Sequence, residues 1–116
     1  MDARHQGAKM EEIRIKKLDV LNERRRGLRP ATSLFNYYQD HADVLNRVKI
    51  QKTELAAELN VSERTISNWV RALASVGLIK YKYSGAARLN PEFWFMGSQT
   101  NYEKALEEYK RFKSDI

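Results

Sequence analysis

Between Thr53 and Leu73 the sequence reads TELAAELNVSERTISNWVRAL, and no other stretch limits the fold so sharply. Apolar residues recur at helical spacing on both sides of a break at Asn60-Val61-Ser62, which predicts two short amphipathic helices that cross closely. Each residue type has a task there. Leu55 and Leu59 supply the buried face of the first helix, and Ala56 is small where the second helix approaches. Asn60 falls where the turn needs a left-handed backbone, which Asn tolerates better than most residues other than Gly. Val61 plugs the turn into the core, and Ser62 is placed to cap the next helix by accepting from a free amide. Ile66, Val70 and Leu73 then face inward, with Trp69 at the edge of their stripe. Small residue, turn residue, cap and apolar spacing all point to one local structure.

The outer face of the second helix keeps Arg64, Thr65, Ser67, Asn68 and Arg71, with Ser62 at its start. These side chains suit base edges and phosphates: Arg pairs with guanine, Asn with adenine, and hydroxyls with either. A recognition helix puts its N-terminal residues into the major groove, which is where Arg64, Thr65 and Asn68 fall. The competing reading is a helical hairpin whose polar residues are merely solvated. The agreement of small residue, turn residue, cap and apolar spacing favours the first, and the charge balance is consistent with it. Lys and Arg number 21 against 15 Asp and Glu, a formal charge of +6 at pH 7. A basic domain is drawn to a duplex by release of the counterions condensed on it. At 116 residues, 42% of them hydrophobic, the chain has material for one core and short flanking elements.

The flanks extend the pattern. About Lys9 to Arg26 reads as a charged helix, with Ile13, Ile15, Leu18, Val20 and Leu21 spread along it as an imperfect stripe. Gly27-Leu28-Arg29-Pro30 breaks it, through backbone entropy at Gly27 and the missing donor at Pro30. Thr32 or Ser33 then caps a helix running to about Leu45, with Leu34, Phe35, Tyr38, Ala42 and Leu45 on one face. Arg47-Val48-Lys49-Ile50 alternates as a short strand. Beyond the second helix of the pair, Gly77 is placed to end it. Ile79-Lys80-Tyr81-Lys82-Tyr83 alternates, Ser84-Gly85 turns, and Ala87-Arg88-Leu89 returns as a hairpin. Lys80, Lys82 and Arg88 on that hairpin either meet phosphate or a minor groove, or only solubilise it. Asn101 to Lys113 is a final amphipathic helix whose stripe of Tyr102, Ala105, Leu106, Tyr109 and Phe112 either packs back on the hairpin or forms a dimer seam. Arg24, Arg25, Arg26 and Arg29 are the densest positive cluster: a basic arm on the DNA backbone or minor groove, or a solvated helix end.

Helix, short strand, helix-turn-helix, Gly-Leu-Ile and hairpin, in this order over about Leu34 to Leu89, look like a winged-helix domain with the hairpin as its wing. The segment Ser84-Gly85-Ala86-Ala87-Arg88-Leu89-Asn90-Pro91-Glu92-Phe93-Trp94-Phe95-Met96-Gly97 is narrower in its likeness. A wing closing into Leu-Asn-Pro, then aromatics and a Gly, resembles the plasmid replication proteins of the RepL type and related plasmid or phage initiator domains. The resemblance implies a domain that binds origin DNA and helps to start plasmid replication or controls copy number. Asn90-Pro91 also has a structural use, as a turn that starts a helix, with Phe93, Trp94 and Phe95 sealing the core.

Other chemistries find no footing. The two histidines, His5 and His41, stand apart, and Asp40-His41 has no third ligand at useful spacing. Tyr37-Tyr38 lacks the metal-binding histidine pair of a rolling-circle nicking enzyme, and Tyr38 suits the core. Glu11-Glu12 and Glu107-Glu108 are helix-surface charges, no Gly-rich phosphate loop occurs, and no cysteine is present. No run approaches the roughly 18 apolar residues that span a bilayer, and Met1–Met10 has no signal-peptide pattern.

The expectation is therefore a mainly α protein with a small β-hairpin (α+β), a winged helix-turn-helix with extra N- and C-terminal helices. Residues 1–30 are its helical, basic arm, 31–97 its DNA-binding domain and 98–116 its C-terminal helix. It is expected to be a cytoplasmic, non-enzymatic binder of double-stranded DNA without cofactor or metal, homodimeric through a terminal helix, meeting replication or transcription machinery. Its role is plasmid or phage replication initiation or control. The alternatives are a transcriptional repressor of a plasmid or phage operon and a winged-helix module that docks proteins.

Overall fold

Spacing of apolar residues changes from helical to alternating several times along this chain, and short helices and strands follow each change. In the computed structural model, which describes residues 12–25 and 27–116, the order begins with β1 (Glu12–Lys16), a 3-10 turn (Asp19–Asn22), α1 (Thr32–His41) and β2 (Arg47–Lys49). It continues through α2 (Lys52–Leu59), α3 (Glu63–Ser75), β3 (Ile79–Tyr81), β4 (Ala86–Leu89), β5 (Trp94–Ser98) and α4 (Gln99–Arg111). The strands form two antiparallel sheets, ordered β2-β4-β3 and β1-β5. The architecture is α+β, with a larger share of strand than a single hairpin.

One core joins the first three helices to the inner face of the three-stranded sheet. Leu34, Phe35 and Tyr38 of α1 meet Leu55 of α2 and Ile66, Val70 and Leu73 of α3. Val48, Ile79, Tyr81, Ala87 and Leu89 close the core from the sheet, since strand alternation sends these inward. The same alternation sends Lys80 and Arg88 to the outer face. Register places Arg88 of the central strand opposite both Arg47 and Lys80, so three cations stand in one row across that face.

The helix expected over about Lys9 to Arg26 does not form: within the described residues, Glu12–Lys16 is a strand paired with β5 from Glu12↔Ser98 to Lys16↔Trp94. Ile13 and Ile15 are two apart, β-branched, and turned inward between exposed Glu12, Arg14 and Lys16. That is period two, and a partner edge made it decisive. Leu18 and Leu21 then join the core across the 3-10 turn. Arg26, like residues 1–11, lies outside the described residues.

Three further boundaries differ. The residue capping α1 is Ala31, not Thr32 or Ser33, and the Ser33 hydroxyl donates backward to the Pro30 carbonyl at 2.9 Å. Helix α1 stops at His41 rather than near Leu45 because Asp43 offers the backbone a competing partner. Its Oδ1 accepts from the amides of Leu45 and Arg47, both at 2.9 Å, and Asn46 turns the chain at φ 61° into β2. Asn90-Pro91 starts no helix: the chain enters β5 at Trp94, while Phe93, Trp94 and the buried Phe95 do seal the core, and Ser98 caps α4 from Asn101 N at 3.1 Å, so that helix starts before Asn101.

Candidate nucleic-acid interface

Helices α2 and α3 meet as their residue types require. Leu55 and Ala56 are buried under α3. Asn60 takes φ 56° and ψ 50°, and its amide donates to the carbonyls of Ala56 and Ala57. Val61 N follows it to Ala56 O at 3.0 Å, and the Val61 side chain packs on the core. Ser62 Oγ accepts from Thr65 N at 3.0 Å and donates to Thr65 Oγ1 at 3.0 Å, so this hydroxyl is held by the cap. Gly77, at φ 80°, lets the Leu78 amide return to Leu73 O at 3.1 Å and closes α3.

Arg64, Asn68 and Arg71 stand exposed on the outer face of α3, with Thr65 and Ser67 half-buried between them. Neither arginine has an acidic partner within salt-bridge distance among the described residues. An open groove of about 660 Å³ runs beside them, lined by Arg64, Thr65, Asn68, Trp69, Arg71, Ser75 and, from the opposite side, Gly27. Gly27 belongs to the basic segment, where Arg24, Arg25 and Arg29 are exposed. Arg25 is paired with Glu23 at 3.0 Å. The structure thus brings the α3 cations alongside the segment of the basic cluster.

The cations of the β3–β4 hairpin have a different setting. Helix α4 lies across their face. Lys80 Nζ donates to the Tyr109 carbonyl at 2.8 Å and sits 4.7 Å from the centre of the Tyr109 ring. Lys82 Nζ and the Arg88 guanidinium lie over the Phe112 ring, at 4.8 and 4.6 Å. Glu108 stands between Arg88, at 3.6 Å, and Arg47, at 3.7 Å. The C-terminal stripe is therefore used within the chain: Tyr102 meets Phe95 edge-on, Ala105 is buried, and Tyr109 Oη donates to Gly77 O at 3.2 Å. Burial pushes the Tyr109 phenol up to about 12.

Two residues that sequence reasoning passed over belong to this surface. Tyr83, 69% exposed at the hairpin tip, and Lys52, in the first turn of α2, line a notch with Ser67 and Arg71 of α3. The tip is held against the end of β2, where Ile50 N donates to Gly85 O at 3.3 Å and Gln51 Nε2 to Ser84 O at 3.1 Å. Gly85 has φ 97°, and a Cβ there would lie 2.8 Å from Ile50 O. An aromatic next to Ser-Gly was the available signal for Tyr83. Lys52 carried none, since its place depends on how α2 meets the hairpin.

The alternative chemistries rest on His41 and the tyrosine pair. His41 is exposed, stacked on Tyr37 at 4.1 Å with Nδ1 2.9 Å from Tyr37 O, and Tyr38 is fully buried in the core. Among the described residues no group of three His, Cys, Asp or Glu is placed to hold a metal ion, and no helix is long and apolar enough to cross a membrane.

Searches of curated proteins and of solved structures gave no significant match. Residues 10–116, nearly all of the chain, match the model of one family, described as the Firmicute plasmid replication protein (RepL). The chain belongs to the RepL family of Firmicute plasmid replication proteins.

Proposed function

We propose that this chain is a sequence-specific binder of double-stranded DNA, a winged helix-turn-helix that acts in the initiation or control of plasmid replication. The observation that carries the reading is the outer face of α3. Arg64, Asn68 and Arg71 are exposed there on a capped, core-anchored helix, next to an open groove. Side chains held this way on a rigid element suit base-edge readout, with Arg directed to guanine and Asn to adenine. Arg24, Arg25 and Arg29, exposed in the segment whose Gly27 lines the groove, and Lys52 and Tyr83 at the notch, supply contacts to the sugar-phosphate backbone, which set register without carrying sequence. The β3–β4 hairpin is the wing. Lys80, Lys82 and Arg88 are its cations, and their access to phosphate depends on α4.

Two copies bound together would occupy half-sites about one helical turn apart, through a seam other than the α4 stripe, which packs within the chain. The test is selection of bound duplexes from a random pool at near-physiological salt. An enriched inverted or direct repeat supports specific recognition and reports dimer spacing, and a single enriched half-site removes the dimer. A pool that stays random overturns sequence-specific binding and with it the initiator reading. Whether the recovered site lies at an origin or at a promoter separates replication control from repression.

A further inference from the structure

The segment from Glu108 to Ile116 both covers the hairpin cations and crosses toward α3. Beyond the end of α4 the chain adds to the free edge of β3: Asp115 N donates to Tyr81 O at 2.7 Å and Tyr81 N to Ser114 Oγ at 3.0 Å. Asp115 Oδ2 then accepts from Tyr83 N at 2.9 Å, which brings a carboxylate to the hairpin tip. The next residue, Ile116, lines the notch shared by Lys52, Ser67, Arg71 and Tyr83. Phe112 sits under Lys82 and Arg88, and Glu108 faces Arg88 and Arg47.

Taken together, one short piece of chain meets the outer-face cations with an aromatic ring and a carboxylate, adds a second carboxylate at the tip, and forms one wall of the notch beside α3. Rows of like charge across strands repel, and Glu108 offsets this repulsion in the row Arg47–Arg88–Lys80. The contacts to the cations are mostly of the weak kind, ion pairs longer than 3.5 Å and cation–ring contacts, while the backbone of the segment is held to Tyr81 by short, part-buried hydrogen bonds. A DNA backbone carries one charge per roughly 1.7 Å and competes for the same cations with many more oxygens.

We propose that Phe112–Ile116, together with Glu108, is a cover acting in cis: it engages the wing cations and borders the notch beside α3, and duplex DNA must displace it to engage those cations. The proposal rests on the DNA-binding reading and adds a means of regulating that site. It also assigns Asp115 and Phe112 a role opposed to binding, although both lie next to the binding surface.

The test uses the full chain and a duplex recovered from the random pool. In the Phe112→Ala/Asp115→Asn variant the cover is weakened, and binding is expected to tighten. The plot of log affinity against log salt should steepen by up to about 2, since Lys82 and Arg88 each add about 0.9 as phosphate contacts. Adding Lys82→Ala and Arg88→Ala to this variant should remove the gain. With the unsubstituted chain, the amides of Tyr81 and Tyr83 should exchange faster in the DNA complex than in the free protein. An unchanged slope with unchanged amide protection overturns the cover, and weaker binding by the variant shows a brace instead. If Arg64→Ala and Asn68→Ala impair binding while the cover variant does nothing, only this inference fails. If neither protein binds duplex DNA, the proposed function fails with it.

Discussion

Each residue of the α2–α3 turn is tied to a single backbone requirement, and the side chains proposed to read DNA depend on those ties. Asn60 accepts the left-handed turn, Ser62 holds the Thr65 amide in the first turn of α3, and Arg64 and Asn68 then project from a fixed first turn and a half. Replacing Arg64 or Asn68 by Ala should leave the fold intact, as both are exposed. Each is expected to cost about 1–3 kcal/mol of discrimination at one base pair, read by competition between the selected duplex and single-base variants. Equal losses on all sequences would make these residues phosphate contacts. Asp43 allows a test by pH. Partial burial pushes its carboxyl up, but hydrogen bonds from Arg47 N, from the Arg47 guanidinium and from Leu45 N outweigh this and hold it below its ordinary value of 3.8. A lowered folded value means that the ionised form is the stabilised one. Its contribution is present at neutral pH and is lost as pH falls from the ordinary carboxylate range through the lower folded value. The stability difference between the native chain and Asp43→Ala, from urea midpoints, should therefore shrink in that acid window and stay constant above it.

At the scale of elements, β1 shows that a strand needs its partner as much as its sequence. Ile13 and Ile15 are half-buried where β1 pairs with Gly97 and Phe95, whereas Arg14 between them is exposed. Ile13→Ser with Ile15→Ser should lower stability by about 1–3 kcal/mol in chemical denaturation, since each loses methyl and methylene groups worth about 0.8 kcal/mol apiece when fully buried. Arg14→Ser should change it by less than about 0.5 kcal/mol. Similar losses in all three positions would contradict the strand. Helix α4 is the second case. Its apolar stripe reads equally well as an internal packing face or as a seam between two chains, and the stripe itself holds nothing that chooses. The choice came from the outer face of the sheet, where Lys80, Arg88 and Arg47 stand in a row that Glu108, Tyr109 and Phe112 complement.

Across the whole molecule, the cations divide into two populations that composition cannot distinguish. Those of α3 and of the basic segment face outward, and those of the hairpin are engaged by the chain's own C-terminal segment. The net charge of +6 is unchanged by these contacts, but it does not say which cations are free to meet a polyanion directly.

The sequence by itself determined the helix–turn–helix, because the signals for it are local. Asn60, Ser62 and Gly77 each act through hydrogen bonds to residues three to five positions away, so their spacing carries the structure. Ile66, Val70 and Leu73 needed only helical period to find the core. Tertiary structure alone decided the rest. The segment 12–16 became a strand because β5 offered an edge, and an imperfect stripe with two inward isoleucines is compatible with either form until that edge exists. Lys82 and Arg88 look like free wing cations in the sequence, since the ring that covers them, Phe112, meets them only after α4 has folded back. Pairing between distant segments is settled by which surfaces remain uncovered once the core closes, and no local pattern contains that information.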